Sequence, residues 1–257
     1  MKILSIGNSF SHDTMYLLPM IAKDLGIDGV FANLYIGGCT IGYHYINAID
    51  DLPVYHYYIN SGEEWKDRKR VRISEAIASE DWDWINIQHG SKDYNCYTQD
   101  IFYKRLPELV SFVKKLAGKK THISFNMAWV ADSEKEHHEM VSLYGNDQTK
   151  MYEALVKLTQ NLVASTEGID IISPTGIAIQ TARNLNFTNL TRDGFHLSYD
   201  FGRYIAALTF LKTLADVDIT KVDWAPETIT VEEKNAAVRC ASLAYDIFQK
   251  ISTNNFL

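Results

Sequence analysis

Cysteine is scarce in this sequence, with three among 257 residues and no pair in a CxxC spacing. The usual zinc-site spacing is therefore excluded and a disulfide framework is disfavoured, although Cys39 and Cys96 stay open as a pair. No apolar run approaches the roughly 20 residues of a membrane span, and the N-terminal apolar run is too short for a signal peptide. As it stands the sequence predicts a cytoplasmic protein. A leader removed before residue 1 would instead place it in the periplasm or outside the cell.

Positive charge is also in deficit, since 25 Lys and Arg residues face 32 Asp and Glu residues for a net charge of −7. This balance disfavours nucleic acid and anionic membranes as partners. The basic run at residues 66–72 is interpreted as a solvated face. His137 and His138 lie between glutamates but lack HExxH spacing, so we predict neither a metal nor a cofactor. At 46% hydrophobic and 22% charged residues, the chain is typical of a globular protein.

Short apolar runs alternate with segments of helical periodicity along the whole chain. This alternation predicts a parallel sheet covered by helices on both faces, within a single domain over residues 1–257. An aromatic hairpin near 53–66 and a polar loop near 129–148 interrupt the pattern. The predicted strands lie at 3–6, 30–36, 82–88, 121–125 and 168–172, and the predicted helices at 14–25, 100–116, 149–165, 199–214 and 231–251.

Sites in sheets of this kind lie beyond the carboxyl ends of the strands, which directs attention to Ser9 after the first strand. A serine hydroxyl needs a base before it can act as a nucleophile, because its own pKa is far too high. The alternative is that Ser9 or Ser11 only caps the following helix. His12 and Asp13 have two interpretations, a cap on the first helix or a position near the substrate, and we prefer capping.

A base is available in the segment Asp-Gly-Phe-His-Leu-Ser at residues 193–198. Asp193 and His196 are three residues apart, and Gly194 permits a tight turn between them. The carboxylate can therefore accept the Nδ1 proton of the imidazole and leave the other ring nitrogen to act as a base. The alternative is a surface loop that happens to contain both residues.

Taken together, Gly-Asn-Ser-Phe-Ser at residues 7–11 and the segment 193–198 resemble the sequence blocks of the SGNH, or GDSL-like, hydrolases. The glycine after the second strand resembles the second block, and the Gly-Asn-Ser-Phe start resembles one branch of the superfamily. The resemblance implies a flavodoxin-like three-layer αβα sandwich with a mainly parallel five-stranded sheet.

The resemblance also implies a role for each residue of these blocks. Ser9 would be the nucleophile, His196 the base and Asp193 the residue that orients it. The amides of Ser9 and Gly38 would donate to the oxyanion, with Gly37 as the alternative to Gly38.

Two positions depart from the family pattern. Asn8 stands where the first block usually has aspartate, which preserves size and loses charge. Lys92 stands where the third block should supply an asparagine to the oxyanion hole. Gln88, at the exit of the same strand, carries the same kind of amide donor and is predicted to replace it. The alternative is that Gln88 only closes the strand end.

These residues predict a serine esterase that forms an acyl-enzyme and needs no metal. The expected substrate is a small-molecule or carbohydrate ester with a small acyl group such as acetyl, and Trp129 is the candidate for contact with it. An acyltransferase with the same triad and a catalytically silent carbohydrate-binding relative are the alternatives. The oligomeric state is not predicted.

Overall fold

The computed structural model describes residues 1–62, 64–90, 93, 99–132 and 141–254. Its framework is one mixed sheet with helices on both faces, which confirms the predicted α/β sandwich. The strands in chain order are β1 (Lys2–Gly7), β2 (Val30–Tyr35), β3 (Tyr55–Asn60), β4 (Lys66–Val71), β5 (Trp84–Gln88), β6 (His122–Asn126) and β7 (Ile171–Ser173).

The sheet has seven strands in the order β4-β3-β2-β1-β5-β6-β7. Its five parallel strands are the five predicted from the apolar runs. Counted without the two antiparallel strands, their order is 2-1-3-4-5, the flavodoxin-like arrangement. Because all five run the same way, their carboxyl ends meet along one edge of the sheet, and Gly7, Tyr35, Gln88 and Asn126 end four of them there.

The two additional strands come from the aromatic segment, so the prediction of a five-stranded sheet is corrected to seven. β3 and β4 pair antiparallel, and β3 pairs with the outer edge of β2. The basic run forms β4, in which Lys66 to Arg70 are all exposed, as a solvated face requires. Charged side chains on an open edge oppose pairing with another chain, so this strand also protects that edge of the sheet from aggregation.

Helices connect most of the strands. They differ from the predicted helices in two ways: one predicted helix is divided, and three helices are additional. The predicted helix 14–25 is two helices, because Pro19 lacks the amide hydrogen that a continuous helix would need and instead lies at the start of the second. Three short helices were not predicted: Ile41–Ile49, Ile73–Ala78 and Thr175–Asn184. The helices are α1 (Ser9–Met15), α2 (Leu18–Asp24), α3 (Ile41–Ile49), α4 (Ile73–Ala78), α5 (Gln99–Ala117), α6 (Gln148–Leu158), α7 (Thr175–Asn184), α8 (Phe201–Ala215) and α9 (Val231–Asn254).

The helices form two layers around the sheet. α1, α2 and α8 pack together on one face, with α7 and α9 against α8, and α3, α4 and α5 pack together on the other side. α8 is buried along almost its whole length, and most of its residues are apolar. In the part of the chain that the structure describes, no helix combines the length and apolar character needed to cross a bilayer.

Candidate active site

Asn8 joins three strand exits immediately before the candidate nucleophile. Its side-chain oxygen accepts from the Phe10 amide at 3.0 Å, which caps α1. Its Nδ2 donates to the Cys39 carbonyl at 2.8 Å and to the His89 carbonyl at 3.4 Å. An amide side chain supplies both donor and acceptor, whereas an ionised aspartate would present only acceptors to the two carbonyls. Asparagine at this position is therefore structural, and Ser9 is fixed as the first residue of α1.

Asp193 and His196 are joined as the sequence predicts. The Asp193 Oδ2 lies 2.6 Å from the His196 Nδ1, and the Asp193 Oδ1 accepts from the amides of His196 at 2.7 Å and Phe195 at 3.0 Å. Partial burial raises the pKa of Asp193, but these hydrogen bonds outweigh it and hold the pKa below its usual value. The carboxylate thus fixes the proton on Nδ1 and leaves Nε2 as the basic nitrogen. Gly194 takes a positive φ of 82° within the turn.

Asp13 fastens this loop to the serine-bearing helix. Its Oδ2 accepts from the Leu197 amide at 3.0 Å, and its Oδ1 lies 2.8 Å from the Arg203 Nε and 3.0 Å from the Arg192 Nη1. Asp13 has no exposed surface and Arg203 is 4% exposed. Because Asn8 caps α1, the preferred interpretation of His12 and Asp13 as helix caps is wrong. It sits in the middle of α1 and brings together segments 184 residues apart.

A second contact between the two segments is aromatic. Phe10 packs against Phe195 and against Trp129, with ring centroids 4.7 Å apart in each pair. The Trp129 Nε1 donates to the Phe195 carbonyl at 2.8 Å. Phe10 follows Ser9 and Phe195 precedes His196, so this seam brings the flanking residues of the candidate nucleophile and base into contact.

Trp129 itself is 1% exposed. Its ring faces are therefore not available to a sugar, and the prediction that it contacts substrate is corrected. The side chain instead supports the Asp193–His196 loop through its hydrogen bond to the Phe195 carbonyl. The sequence placed Trp129 at a strand exit but could not show that the indole turns inward.

The candidate oxyanion donors differ in their surroundings. Gly38 is exposed and has a φ of +64°, in a turn closed by the Cys39 amide donating to the Ile36 carbonyl at 3.2 Å. Gln88 has no exposed surface, and its Oε1 accepts from the Asn126 Nδ2 at 3.0 Å. Its Nε2 has no partner among the described residues. The burial of this side chain and its bond to Asn126 favour the alternative that Gln88 closes the strand end. Lys92 lies outside the described residues.

Asp93, which no sequence motif indicated, joins the exit of β5 to the start of α3. Its Oδ2 accepts from the Gly90 amide at 2.6 Å and from the Ile41 amide at 3.2 Å, at the start of α3. Burial raises the pKa of Asp93 to about 7, although both amide hydrogen bonds lower it. The sequence signal for this contact was the spacing of three residues between Gly90 and Asp93, which allows the carboxylate to accept from the Gly90 amide.

The cysteines and the possible metal ligands take no part in the candidate active site. Burial, and then the charge of Asp93, raise the pKa of the Cys39 thiol to about 12, so this thiol stays protonated and does not compete as a nucleophile. Cys39 and Cys240 are free, and Cys96 lies outside the described residues. Within the described residues no three His, Cys, Asp or Glu side chains are grouped as metal ligands. The pair His137 and His138 also lies outside the described residues.

His89 lies between the exits of β5 and β6 and is 1% exposed. The Ala128 amide donates to its Nε2 at 3.2 Å, and its Nδ1 lies 3.1 Å from the Gly90 carbonyl. Burial lowers the pKa of His89 to about 4, although the hydrogen bond to Gly90 opposes this. The ring is therefore neutral near neutral pH and serves as a link between two strand exits.

We expect His89 to make the fold sensitive to acid. Its pKa is below that of an unfolded histidine, near 6.5, so the folded state binds fewer protons between these two values. Stability is therefore lost as the pH falls from about 6.5 to about 4, by up to about 3 kcal/mol. Urea unfolding at several pH values should show a steeper loss in the wild type than in His89→Gln. Parallel curves for the two proteins would contradict this. The raised pKa of Asp93 also makes stability depend on pH, but it does so in both proteins and cancels in the comparison.

The sequence as a whole matches the model of a domain of unknown function, DUF4886, over residues 2–246. The chain belongs to the DUF4886 family. A DUF4886 family protein from Bacteroides uniformis, known from a crystal structure, is 33% identical with a TM-score of 0.89. The match covers 95% of this chain and 94% of that chain. No curated protein matches the sequence.

More distant structures share the fold of this DUF4886 chain. A candidate SGNH hydrolase from Slackia heliotrinireducens is 17% identical with a TM-score of 0.52, over 83% of this chain and 98% of that chain. A member of the lipolytic G-D-S-L family from Veillonella parvula is 15% identical with a TM-score of 0.50, over 84% and 100%. The resemblance to SGNH hydrolases is thus supported as a common fold, and activity does not follow from fold alone.

Proposed function

We propose that this DUF4886 protein is a serine esterase that removes small acyl groups, above all acetyl, from carbohydrate through an acyl-enzyme. One observation carries the proposal: the 2.6 Å hydrogen bond between Asp193 and His196 lies on a loop that Asp13 fastens to the helix beginning with Ser9. Nucleophilic catalysis by serine requires a base, a group that orients it and a hydroxyl at one edge, and the contact of this loop with α1 supports the placement of the base near Ser9.

The reaction begins with attack of the Ser9 Oγ on the ester carbonyl carbon, while the Nε2 of His196 takes the hydroxyl proton. Asp193 stabilises the imidazolium that forms. The tetrahedral intermediate then collapses, the bond to the alcohol oxygen breaks, and His196 returns the proton to that oxygen. Water repeats the sequence on the acyl-serine and releases the carboxylic acid.

The negative oxygen of the intermediate needs donors that are in place before the reaction starts. The amides of Ser9 and Gly38 are the donors in this proposal. The Ser9 amide lies at the N-terminus of α1, where backbone donors point outward. The Gly38 amide has no hydrogen-bond partner among the described residues, and its turn is exposed.

The decisive test is the hydrolysis of 4-nitrophenyl acetate by the wild type and by Ser9→Ala. We expect kcat/KM to fall by at least ~10³. His196→Ala should lose a similar factor, and the double variant should be no slower than either single one, because the two groups act as one unit.

Ser11→Ala is the matched control, because it removes a second hydroxyl from the same turn of α1. The Ser11 Oγ lies 2.7 Å from the Asn8 carbonyl and 2.8 Å from the Asn33 Oδ1, buried against the sheet. We expect this variant to retain turnover while losing some stability. Equal rates for wild type and Ser9→Ala would refute the esterase proposal and favour the catalytically silent carbohydrate-binding alternative.

A further inference from the structure

A group of five aromatic side chains forms a half-exposed surface beside α1, which we name the aromatic shelf. It consists of His12, Tyr16, Tyr35, His56 and Tyr58. His12 lies at its centre, with ring centroids 5.2 Å from Tyr58, 5.8 Å from Tyr16 and 5.9 Å from Tyr35. Tyr58 also lies 5.8 Å from Tyr35 and 5.9 Å from His56. These mutual contacts fix the orientation of the rings before any ligand arrives.

Strand register places the shelf on the α1 face of the sheet. Tyr35 is paired with His56, and Asn33 is paired with Tyr58, so these four side chains share one face. Asn33 marks which face it is, because its Oδ1 lies 2.8 Å from the Ser11 Oγ of α1. The shelf therefore lies over β2 and β3, on the flank of α1 where the additional hairpin widens the sheet.

The shelf is continuous with the candidate active site. His12 follows Ser9 by three residues in α1, a spacing that puts both side chains on the same side of a helix. At the end of β2, the Tyr35 hydroxyl lies 3.2 Å from the position that a Gly37 Cβ would occupy. The turn that follows contains Gly38, the proposed oxyanion donor. A ligand attached to an acyl group at Ser9 would therefore extend directly onto these rings.

The chemistry of the shelf fits a flat, uncharged, hydroxylated ligand. All five members are aromatic, so the surface differs from the aliphatic lining that an acyl chain would select. Burial, and then the positive charge of Arg203, lower the pKa of His12, which is therefore neutral at neutral pH. At the outer rim His56 lies 3.2 Å from Asp67, and Lys69 stands beside it on β4, so the two signs balance. Asp67 and Lys69 at this rim therefore present no net charge to a ligand.

All five members of the shelf are partly open to solvent. Tyr16 is 40% exposed, the His56 side chain is 38% exposed, and the other three members are half-buried. Tyr16 is fixed from two sides: the Trp65 Nε1 donates to its carbonyl at 3.0 Å, and the Arg203 guanidinium lies 4.6 Å from its ring centroid. Rigid aromatic rings provide a large contact area at little entropic cost.

We propose that the aromatic shelf binds the carbohydrate part of the substrate, with neutral pyranose rings stacked on Tyr58 and Tyr35. The proposal rests on the proposed esterase function for the direction of the substrate, with the acyl group at Ser9 and the sugar chain along the shelf. The hydroxyl groups of the tyrosines and the ring nitrogens of the histidines supply hydrogen bonds to the sugar.

The test is binding of unesterified sugars to Ser9→Ala protein by isothermal titration calorimetry. The probes are cellohexaose, xylohexaose and chitohexaose, which are neutral β-linked pyranose chains. We expect saturable binding of at least one of them, weakened at least about fivefold by Tyr58→Ala. Tyr58→Leu, which retains apolar bulk and removes the flat ring, should weaken binding in the same way and guards against loss of folding.

Tyr43→Ala is the matched control, since Tyr43 is 64% exposed on α3 and lies outside the shelf. We expect its affinity to stay within about twofold of the parent. Lack of saturable binding by all three sugars, or equal affinity in the Tyr58 variants, would overturn the shelf proposal while Ser9-dependent turnover could still stand. Binding that depends on Tyr58 without Ser9-dependent turnover would instead refute the esterase and leave the shelf as a sugar-binding surface.

Discussion

Replacing Asp13 with alanine is expected to lower the free energy of unfolding by about 3–5 kcal/mol, because it leaves buried arginine charge without its partner. Asp13 has no exposed surface and pairs with Arg203, whose Nη2 lies 2.7 Å away, and with Arg192. It also accepts from the Leu197 amide, which holds the loop of the candidate base. The variant therefore loses a buried ion cluster and a tertiary hydrogen bond together.

The expected loss is a large part of the roughly 5–15 kcal/mol that stabilises a typical domain. Asp13→Asn keeps the shape and one acceptor, so it is the variant to use where the alanine protein fails to fold. Urea unfolding measures the loss for both variants. Glu108→Ala is the control, because its ion pair with Arg105 is surface-exposed and should contribute little to stability. An Asp13→Asn loss no larger than that of Glu108→Ala would contradict the proposed role of the cluster.

Replacing Gly202 with alanine is the second change with a large expected effect. An alanine in place of glycine in a helix ordinarily adds up to about 1 kcal/mol of stability. Here the new Cβ would lie 2.3 Å from the Leu190 carbonyl oxygen and 3.0 Å from the Leu197 Cβ. Both residues flank the Asp193–His196 loop, and their backbone is not free to move away. Overpacking of this kind costs about 1–3 kcal/mol or more, so the clash outweighs the gain in helix propensity.

We therefore expect Gly202→Ala to lower the melting temperature and to lower the proposed esterase activity, since the loop of the candidate base must shift. Thermal unfolding followed by circular dichroism measures the first effect and 4-nitrophenyl acetate hydrolysis the second. Gly37→Ala is the control for stability. The new Cβ would contact only the end of the Tyr35 side chain, with the hydroxyl at 3.2 Å, in an exposed turn. A Gly202→Ala protein that melts at or above the wild-type temperature would show that α8 and the loop can separate.

The parts of the fold that were predicted correctly are those whose signal is local. Five short apolar runs predicted the five parallel strands, because strands buried on both faces are continuously apolar. Helical periodicity predicted α9 from residue 231, and a capping box fixes that start, because the Glu233 amide donates to the Thr230 Oγ1 at 3.1 Å. The three-residue spacing of Asp193 and His196 likewise predicted their hydrogen bond, because one turn contains both groups.

The parts that were missed depend on distant partners. The aromatic segment indicated a hairpin, but pairing of β3 with β2 joins residues that no local pattern connects. Asp13 resembled a helix cap because its partners lie 179 to 190 residues away in the chain. Trp129 was placed at the right edge of the sheet, yet the direction of its ring depends on Phe10 and Phe195.

The amino-acid pattern alone thus determined the layered α/β architecture, the edge where the candidate catalytic groups lie and the identity of the Asp193–His196 pair. These follow from periodicity and from contacts within one turn. Tertiary packing alone decided that Gln88 and Trp129 face inward and that Asp13 joins the two segments. It also decided that His12, Tyr35 and Tyr58 share one surface. Burial and long-range pairing are properties of the assembled sheet, because each depends on which distant segment occupies the neighbouring space.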